Sequence, residues 1–407
     1  MKKEKHIRKS KKKILRLKNL ILLMVLFALL ISLSGCGDYF DALENIAQSP
    51  SLPSKTPVVS PSPSPKPSET PKEKPSASPS PSLPVEEEID QSLVYARNPL
   101  IGRYEYMHEF STKTRPLAII QENTWQSLPQ HGLQSADIVI EMLVEYEISR
   151  FLAIYQDPYN VEKIGAVRSL RSYFTQMALA FDGYIVHYGY SDSGRENAKG
   201  DLARRGLTTI NGLFLGDGGN PFWRDRSRLS AGYSSEHTVV TAGDNLLNKV
   251  SSLPESVTKK ENRDYVFSFS NTSSAEGKSP ANDIYIGNIY VNSPYFLYNE
   301  ELEKYERYQF GQAHYEGNTG EILNFDNVFV LKMDTWPLND SLRHVAMTTY
   351  GWGSGYYFNK GAYVPIQWKR NNDSSHFEIF YEGEILKVAR GNTWICCIPS
   401  NRGITIR

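Results

Sequence analysis

Cysteine is scarce in this chain: three in 407 residues, at positions 36, 396 and 397. That excludes a disulfide framework, and no CxxC or HExxH spacing offers a metal site. No GxSxG elbow is present, and no cysteine has a histidine close by in sequence, so no ready nucleophile stands out. No motif asks for a cofactor. Net charge is also missing, with 45 Lys+Arg against 45 Asp+Glu, but the balance is uneven. Residues 1–18 hold ten of the basic residues and one Glu; without them 45 − 10 = 35 stand against 45 − 1 = 44, a net charge of −9. A chain of that sign argues against nucleic acid as a partner. It argues equally against electrostatic adhesion to anionic lipid.

Only one long apolar run exists, "NLILLMVLFALLISLSG" at 19–35, and it stops at Cys36. A basic flank, a short apolar stretch and "LSGC" (Leu33 to Cys36) have the form of a lipoprotein signal, cut before a cysteine that then carries lipid such as palmitate. A plain transmembrane anchor ending near Gly35 is the other reading. Either way 1–35 is a targeting segment. The rest then lies on the outer face of the cytoplasmic membrane, facing the wall. Aromatic residues are absent from 48–88, which holds 12 of the 23 prolines. Such a segment cannot bury enough apolar surface to fold, so 36–95 is read as a lipidated, disordered stalk.

What is there begins at about residue 97. The fold class expected is α+β: a mixed domain at 96–255 and a β-rich domain at 262–401, divided near the polar stretch 250–263. "RPLAIIQEN" (115–123) is a strand. "SADIVIEMLVEYEISRFLAIYQD" (135–157) is read as two strands broken near Glu145–Ile148, because "IVI" and "FLAIY" are β-like; a helix is the alternative. Asp137, Glu141 and Glu145 share a face under either period. Val167, Leu170, Phe174, Met177 and Phe181 recur every three or four residues, predicting a helix over Gly165–Gly183. "DGYIVHYGYS" (182–191) returns to strand, and "NGLFLGDGGNPFWRDRSR" (211–228) reads as a loop. The second half offers a series of short strands, with "FNKG" and "YEGE" as hairpin turns. Segment 271–281 is read as an insertion and the tail "NRGITIR" as peripheral. Cys396 and Cys397 are read as small residues of a buried strand, with a strained vicinal disulfide as the alternative.

Arg168 and Arg171 lie beside the apolar stripe of the predicted helix. Two guanidiniums near a helix start form an anion site, or they pair with Asp137, Glu141 or Glu145 and bind nothing. Arg150, inside a strand, needs a partner under both readings. His187 is either a hydrogen-bonded core residue or an acid/base group, which His237 could join. Glu141 and Glu145 would be too far apart for a paired-carboxylate hydrolase on a strand and close enough on a helix. Trp223 and Arg224 in "NPFWRDRSR" are an aromatic and cationic ligand surface, or they dock the loop.

Many segments occur here in an order that resembles the YerB-like lipoproteins of Gram-positive bacteria. They include "NPLIG" (98–102), "RPLAIIQEN", "HGLQSADIVIEMLVEYEISRFLAIYQ", "EKIGAVRSLRSYF" (162–174), "FWRDRSR", "YERYQFGQAHYE", "TGEILNFDNVFVL" and "GNTWICCIP". That family pairs N- and C-terminal domains of unknown function. In place of its Arg-Pro-Gln-Ser-Gly run this chain has "SLPQHGL", with His131 near the serine position. The resemblance implies an envelope lipoprotein and supplies no activity or cofactor. The expected function is therefore a binding module for an anionic or glycan wall component (peptidoglycan or teichoic acid) or an envelope protein. Arg168, Arg171, Arg150, Arg224 and Trp223 would make the contacts. The alternatives are a wall-active hydrolase or transferase using Glu141 or Glu145 with His187 and His237, and a purely structural partner in an envelope complex.

Overall fold

The computed structural model describes residues 90–407 except 193, 260–265 and 288–289. The targeting segment, Cys36 and the stalk up to residue 89 lie outside the described residues. Among the described residues no helix is long and apolar enough to cross a membrane.

The chain opens on a hairpin, β1 (Leu93–Arg97) with β2 (Tyr104–His108). Then come β3 (Leu117–Asn123), β4 (Ile138–Leu143) and β5 (Ser149–Tyr155). All three are buried along their whole length, as continuous apolar runs covered on both faces should be. Short β6 (Ile164–Gly165), helix α1 (Ser172–Ala180), β7 (Tyr184–His187), α2 (Ala198–Arg205) and β8 (Ile210–Asn211) follow. The first half ends with β9 (Phe222–Arg224), β10 (Val239–Thr241) and α3 (Gly243–Ser251). The second half supplies β11 (Asp283–Tyr285), β12 (Tyr295–Asn299), β13 (Lys304–Gln309) and β14 (Asn327–Met333). It continues with β15 (Gly351–Asn359), β16 (Ala362–Arg370), β17 (Glu378–Tyr381), β18 (Glu384–Ile385), β19 (Thr393–Pro399) and β20 (Thr405–Ile406). The result is the expected α+β fold, with helices in the first half and a strand-rich second half.

One sheet runs through both halves in the order β18-β17-β16-β15-β14-β19-β4-β5-β3-β7-β8. β19, from the C-terminal end, lies parallel to β14 on one side and to β4 on the other. Its alternating side chains feed two cores: Ile395 and Cys397 enter one, Trp394, Cys396 and Ile398 the other. This explains the adjacent thiols. Neighbours on a strand point to opposite faces, and both cysteines are free and buried.

The two strands expected in 135–157 are present, with the break at 144–148. "FNKG" and "YEGE" are two-residue hairpin turns: Lys360 and Gly361 have φ of 48° and 70°, Glu382 and Gly383 51° and 84°. Both values positive is the type I′ form that matches strand twist. Three expectations fail. The helix predicted from Gly165 starts only at Ser172. Upstream, the N–H groups of Val167, Arg168 and Leu170 bond to Val239, Ile120 and Gly189 carbonyls, so tertiary pairing replaces the helical ladder. Segment 211–228 is not all loop, because it contains a short helix (Gly212–Leu215) and β9. The tail is not peripheral: β20 pairs with β11 at the edge of a second sheet.

The halves are also joined by a buried ion pair. Arg307 on β13 donates from Nη2 to Glu141 on β4 at 2.8 Å, and neither side chain is exposed. Glu141 also accepts from Asn123, Ser149 and Asn292, while the Arg307 guanidinium lies 4.3 Å from the Trp394 ring centroid. Removing one member strands the other charge in the core. Glu141→Ala should lower the unfolding free energy by about 3–5 kcal/mol in urea titrations, and Glu141→Leu combined with Arg307→Met should lose less than Glu141→Ala.

Candidate functional site

A tight connection at 144–148, with Tyr146 and Glu147 at positive φ, sets Glu145 at the turn between β4 and β5. Its two carboxylate oxygens accept from different arginines: Oε1 from Arg150 Nη2 at 2.7 Å, Oε2 from Arg171 Nη2 at 3.0 Å. Arg150 also donates to the Ser169 carbonyl at 2.8 Å. Arg171 is the residue just before α1. Arg168 donates to the Glu236 carbonyl at 2.7 Å and holds its Nε 3.8 Å from Glu122 on β3. Glu122 in turn receives His237, whose Nδ1 is 2.9 Å from the carboxylate. From the second half, His344 bridges the backbone of Glu145.

The electrostatics are unbalanced. Three guanidiniums share the carboxylates of Glu122 and Glu145, and a third carboxylate, the exposed Glu236, lies 3.5 Å from His237 Nε2. Burial opposes the Glu145 charge, but Arg150 and Arg171 outweigh it and hold the carboxyl below its usual range. Burial first, then the Arg171 charge, push Arg150 down to about 10, so it stays charged at neutral pH. The Nε–H groups of Arg168 and Arg171 are buried and have no hydrogen-bond acceptor. An unpaired buried donor costs about 1–3 kcal/mol, more when charged. Side-chain exposures of 19% for Arg168, 9% for Arg171, 6% for Arg150 and 19% for Glu145 place the cluster just beneath the surface.

Five of the residues singled out in the sequence therefore meet: Arg150, Arg168, Arg171, Glu145 and His237. Four do not join them. Glu141 does not share a face with Glu145; it pairs with Phe151 across β4–β5 and enters the Arg307 side of the sheet, whereas Glu145 is held by Arg150, one residue earlier on β5 and on the other face. His187 is wholly buried, with Nδ1 2.6 Å from the Gly189 carbonyl and Nε2 2.8 Å from Thr209 Oγ1. Burial pushes it down to about 4, and both nitrogens are engaged, so it is a core histidine. Arg224 pairs with Asp217 and the Ser235 carbonyl and lies over the Tyr188 ring. Trp223 is half-buried in β9, paired with Val240. Glu122 was missed in the sequence. A glutamate inside the apolar strand "LAIIQEN" should have been a signal, since buried carboxylates need partners. His131 is half-buried, and burial pushes it down to about 4. Among the described residues no group of three or more His, Cys, Asp or Glu could hold a metal ion.

The profile described as "Protein of unknown function (DUF3048) N-terminal domain" matches residues 105–256, and its C-terminal counterpart matches 285–395. The chain is 30% identical over 289 residues to "Putative lipoprotein YerB" of Bacillus subtilis (strain 168), covering 71% of this chain and 82% of that protein. The chain belongs to the YerB-like family. The crystal structure of the Bacillus subtilis YerB protein superposes with a TM-score of 0.64 at 27% identity, over 77% of this chain and 99% of that one. This YerB-like protein is accordingly a lipoprotein of a family whose function is unknown.

Asp137, the third acid expected to meet the arginines, meets none. Its carboxylate accepts from Asn98 Nδ2 at 2.8 Å and the Gln156 N–H at 2.6 Å. Burial, reinforced by nearby Glu105, raises it to about 7. The folded state thus keeps a proton between pH ~4 and ~7 that the unfolded chain releases. Stability from this group is present below pH ~4 and is lost as pH rises to ~7. Asp137→Asn should flatten that descent, seen by comparing the change in unfolding free energy between pH 5 and 7.5 in variant and wild type. Equal slopes would contradict it.

Proposed function

We propose that this YerB-like lipoprotein, held by lipid at Cys36 on the outer face of the cytoplasmic membrane, binds an anionic component of the envelope at Arg150, Arg168 and Arg171. The observation that supports this is the charge count at the cluster: three guanidiniums, two carboxylates and two unsatisfied Nε–H donors. A carboxylate or phosphate at the accessible part of Arg168, whose side chain is 19% exposed, would restore that balance. The envelope offers both, as peptidoglycan peptide carboxylates and teichoic acid phosphates. His237 lies beside this group, with Nδ1 on Glu122 and Nε2 3.5 Å from Glu236. No observation favours the hydrolase or transferase alternative: Glu141 and His187 are bonded inside the core, Glu145 is held by two arginines and His237 by Glu122.

Arg168 is the residue to test. It is more exposed than Arg150, and its loss does not strand Glu145. Full-length protein in detergent should co-sediment with purified wall fragments, and Arg168→Ala should bind roughly tenfold or more weakly, as loss of a charge-assisted contact implies. Walls stripped of teichoic acid would tell phosphate from carboxylate. Unchanged binding by Arg168→Ala to both preparations would reject the reading.

A further inference from the structure

Two arrangements stand out among the aromatic residues of the second half. Tyr285, Tyr295 and Tyr308 form one cross-strand row on β11, β12 and β13, with ring centroids 5.4 and 4.9 Å apart and planes inclined by 20° and 13°. Their faces are spent on one another, and Arg407 covers the outer face of Tyr285 at 5.1 Å. Trp352 on β15 is different. It is 64% exposed. Its neighbour two residues along on the same face is Ser354, too small to crowd it. The indole is steadied by Phe380, with ring centroids 5.9 Å apart and planes 25° apart, and by Lys369 Nζ, 5.4 Å from its centroid.

Trp352 stands at the wall of a cleft of about 370 Å³, with Lys332, Asp334, Tyr350, Ser354 and Ser400 around it. The volume falls in the range of small-ligand sites, roughly 300–1,000 Å³. The floor is built. Trp368 is buried and donates from Nε1 to the Lys332 carbonyl at 3.2 Å. Gly353 makes room for it, since a Cβ there would lie 2.3 Å from the Trp368 ring. Asp334 is exposed and accepts from the Ser400 hydroxyl at one oxygen, Oδ1.

We infer that this cleft is a saccharide-binding site, in which the apolar face of a pyranose ring packs on the Trp352 indole and sugar hydroxyls bond Asp334, Ser354 and Ser400. A rigid indole gives large contact area with little ordering cost, and a carboxylate with adjacent hydroxyls meets the donors and acceptors that a sugar carries. The site uses none of the residues of the arginine cluster, so it stands or falls separately from that reading.

The test is isothermal titration of the full-length lipoprotein in detergent with three probes: chitotetraose, cellotetraose and maltotetraose. At least one should bind at millimolar concentration or below. Trp352→Ala should weaken that binding at least roughly tenfold, as expected for an aromatic anchor, while Trp352→Phe and Asp334→Asn should each retain part of it. Arg168→Ala should bind as wild type does. Trp352 is on the surface, so thermal melting of the variants should match the parent and separates loss of binding from loss of fold. Absence of binding to all three probes, or equal binding by Trp352→Ala, would overturn the assignment.

Discussion

The ion pair between Glu141 and Arg307 is the constraint on which the rest of the molecule leans. Each charge has been taken out of water, and each is tolerable only while the other is present. Glu141 rides on a central strand of the first half; Arg307 arrives from a second sheet in the other half. Their hydrogen-bonded surroundings, Asn123, Ser149, Asn292 and the flanking Phe151 and Trp394 rings, fix the register in which the two sheets face each other. Little of this serves chemistry. It serves to place the end of β4, and with it the turn carrying Glu145.

That turn is where the fold leaves charge unbalanced. Glu145 is asked to satisfy two arginines, and Glu122 one arginine and a histidine. Asp201 is also shared by two arginines, but one of them, Arg204, is 72% exposed, whereas the three guanidiniums here are largely buried. Here the segment 166–171 is drawn out of helix so that three guanidiniums come close together. Burial first, and the Arg171 charge second, lower the affinity of Arg150 for its proton.

Much of the fold was legible because the local signals agreed with the tertiary outcome. The β-branched runs at 117–123, 138–143 and 149–155 became buried strands, and the Lys-Gly and Glu-Gly pairs became hairpin turns. The stripe from Val167 to Phe181 was correct as a list of buried residues and wrong as a helix before Ser172. Periodicity reports which side chains face the core, and it cannot see that Ile120 and Val239 will claim the backbone donors. The same limit applies to the site. That Arg150 needed an acid was readable from a charge in an apolar run. That Glu145 would turn to it, while Glu141 four residues earlier turned the opposite way, depended on the path of the chain at Tyr146 and Glu147. His187 looked chemical in "YIVHYG" because one partner, Thr209, lies 22 residues further on, and the other, the Gly189 carbonyl, is a backbone group within the stretch itself.

The position of β19 has a consequence for the order of events during synthesis. Its neighbours β4 (Ile138–Leu143) and β14 (Asn327–Met333) begin 327 − 138 = 189 residues apart, yet neither can close its inner edge until residues 393–399 arrive. Until then each presents a row of unpaired backbone groups to any strand that passes. Long-range parallel pairing is slow to form, so the nascent chain stays adhesive until these residues are made. Residues 393–399 are thus the latch that turns two sticky half-sheets into one closed structure.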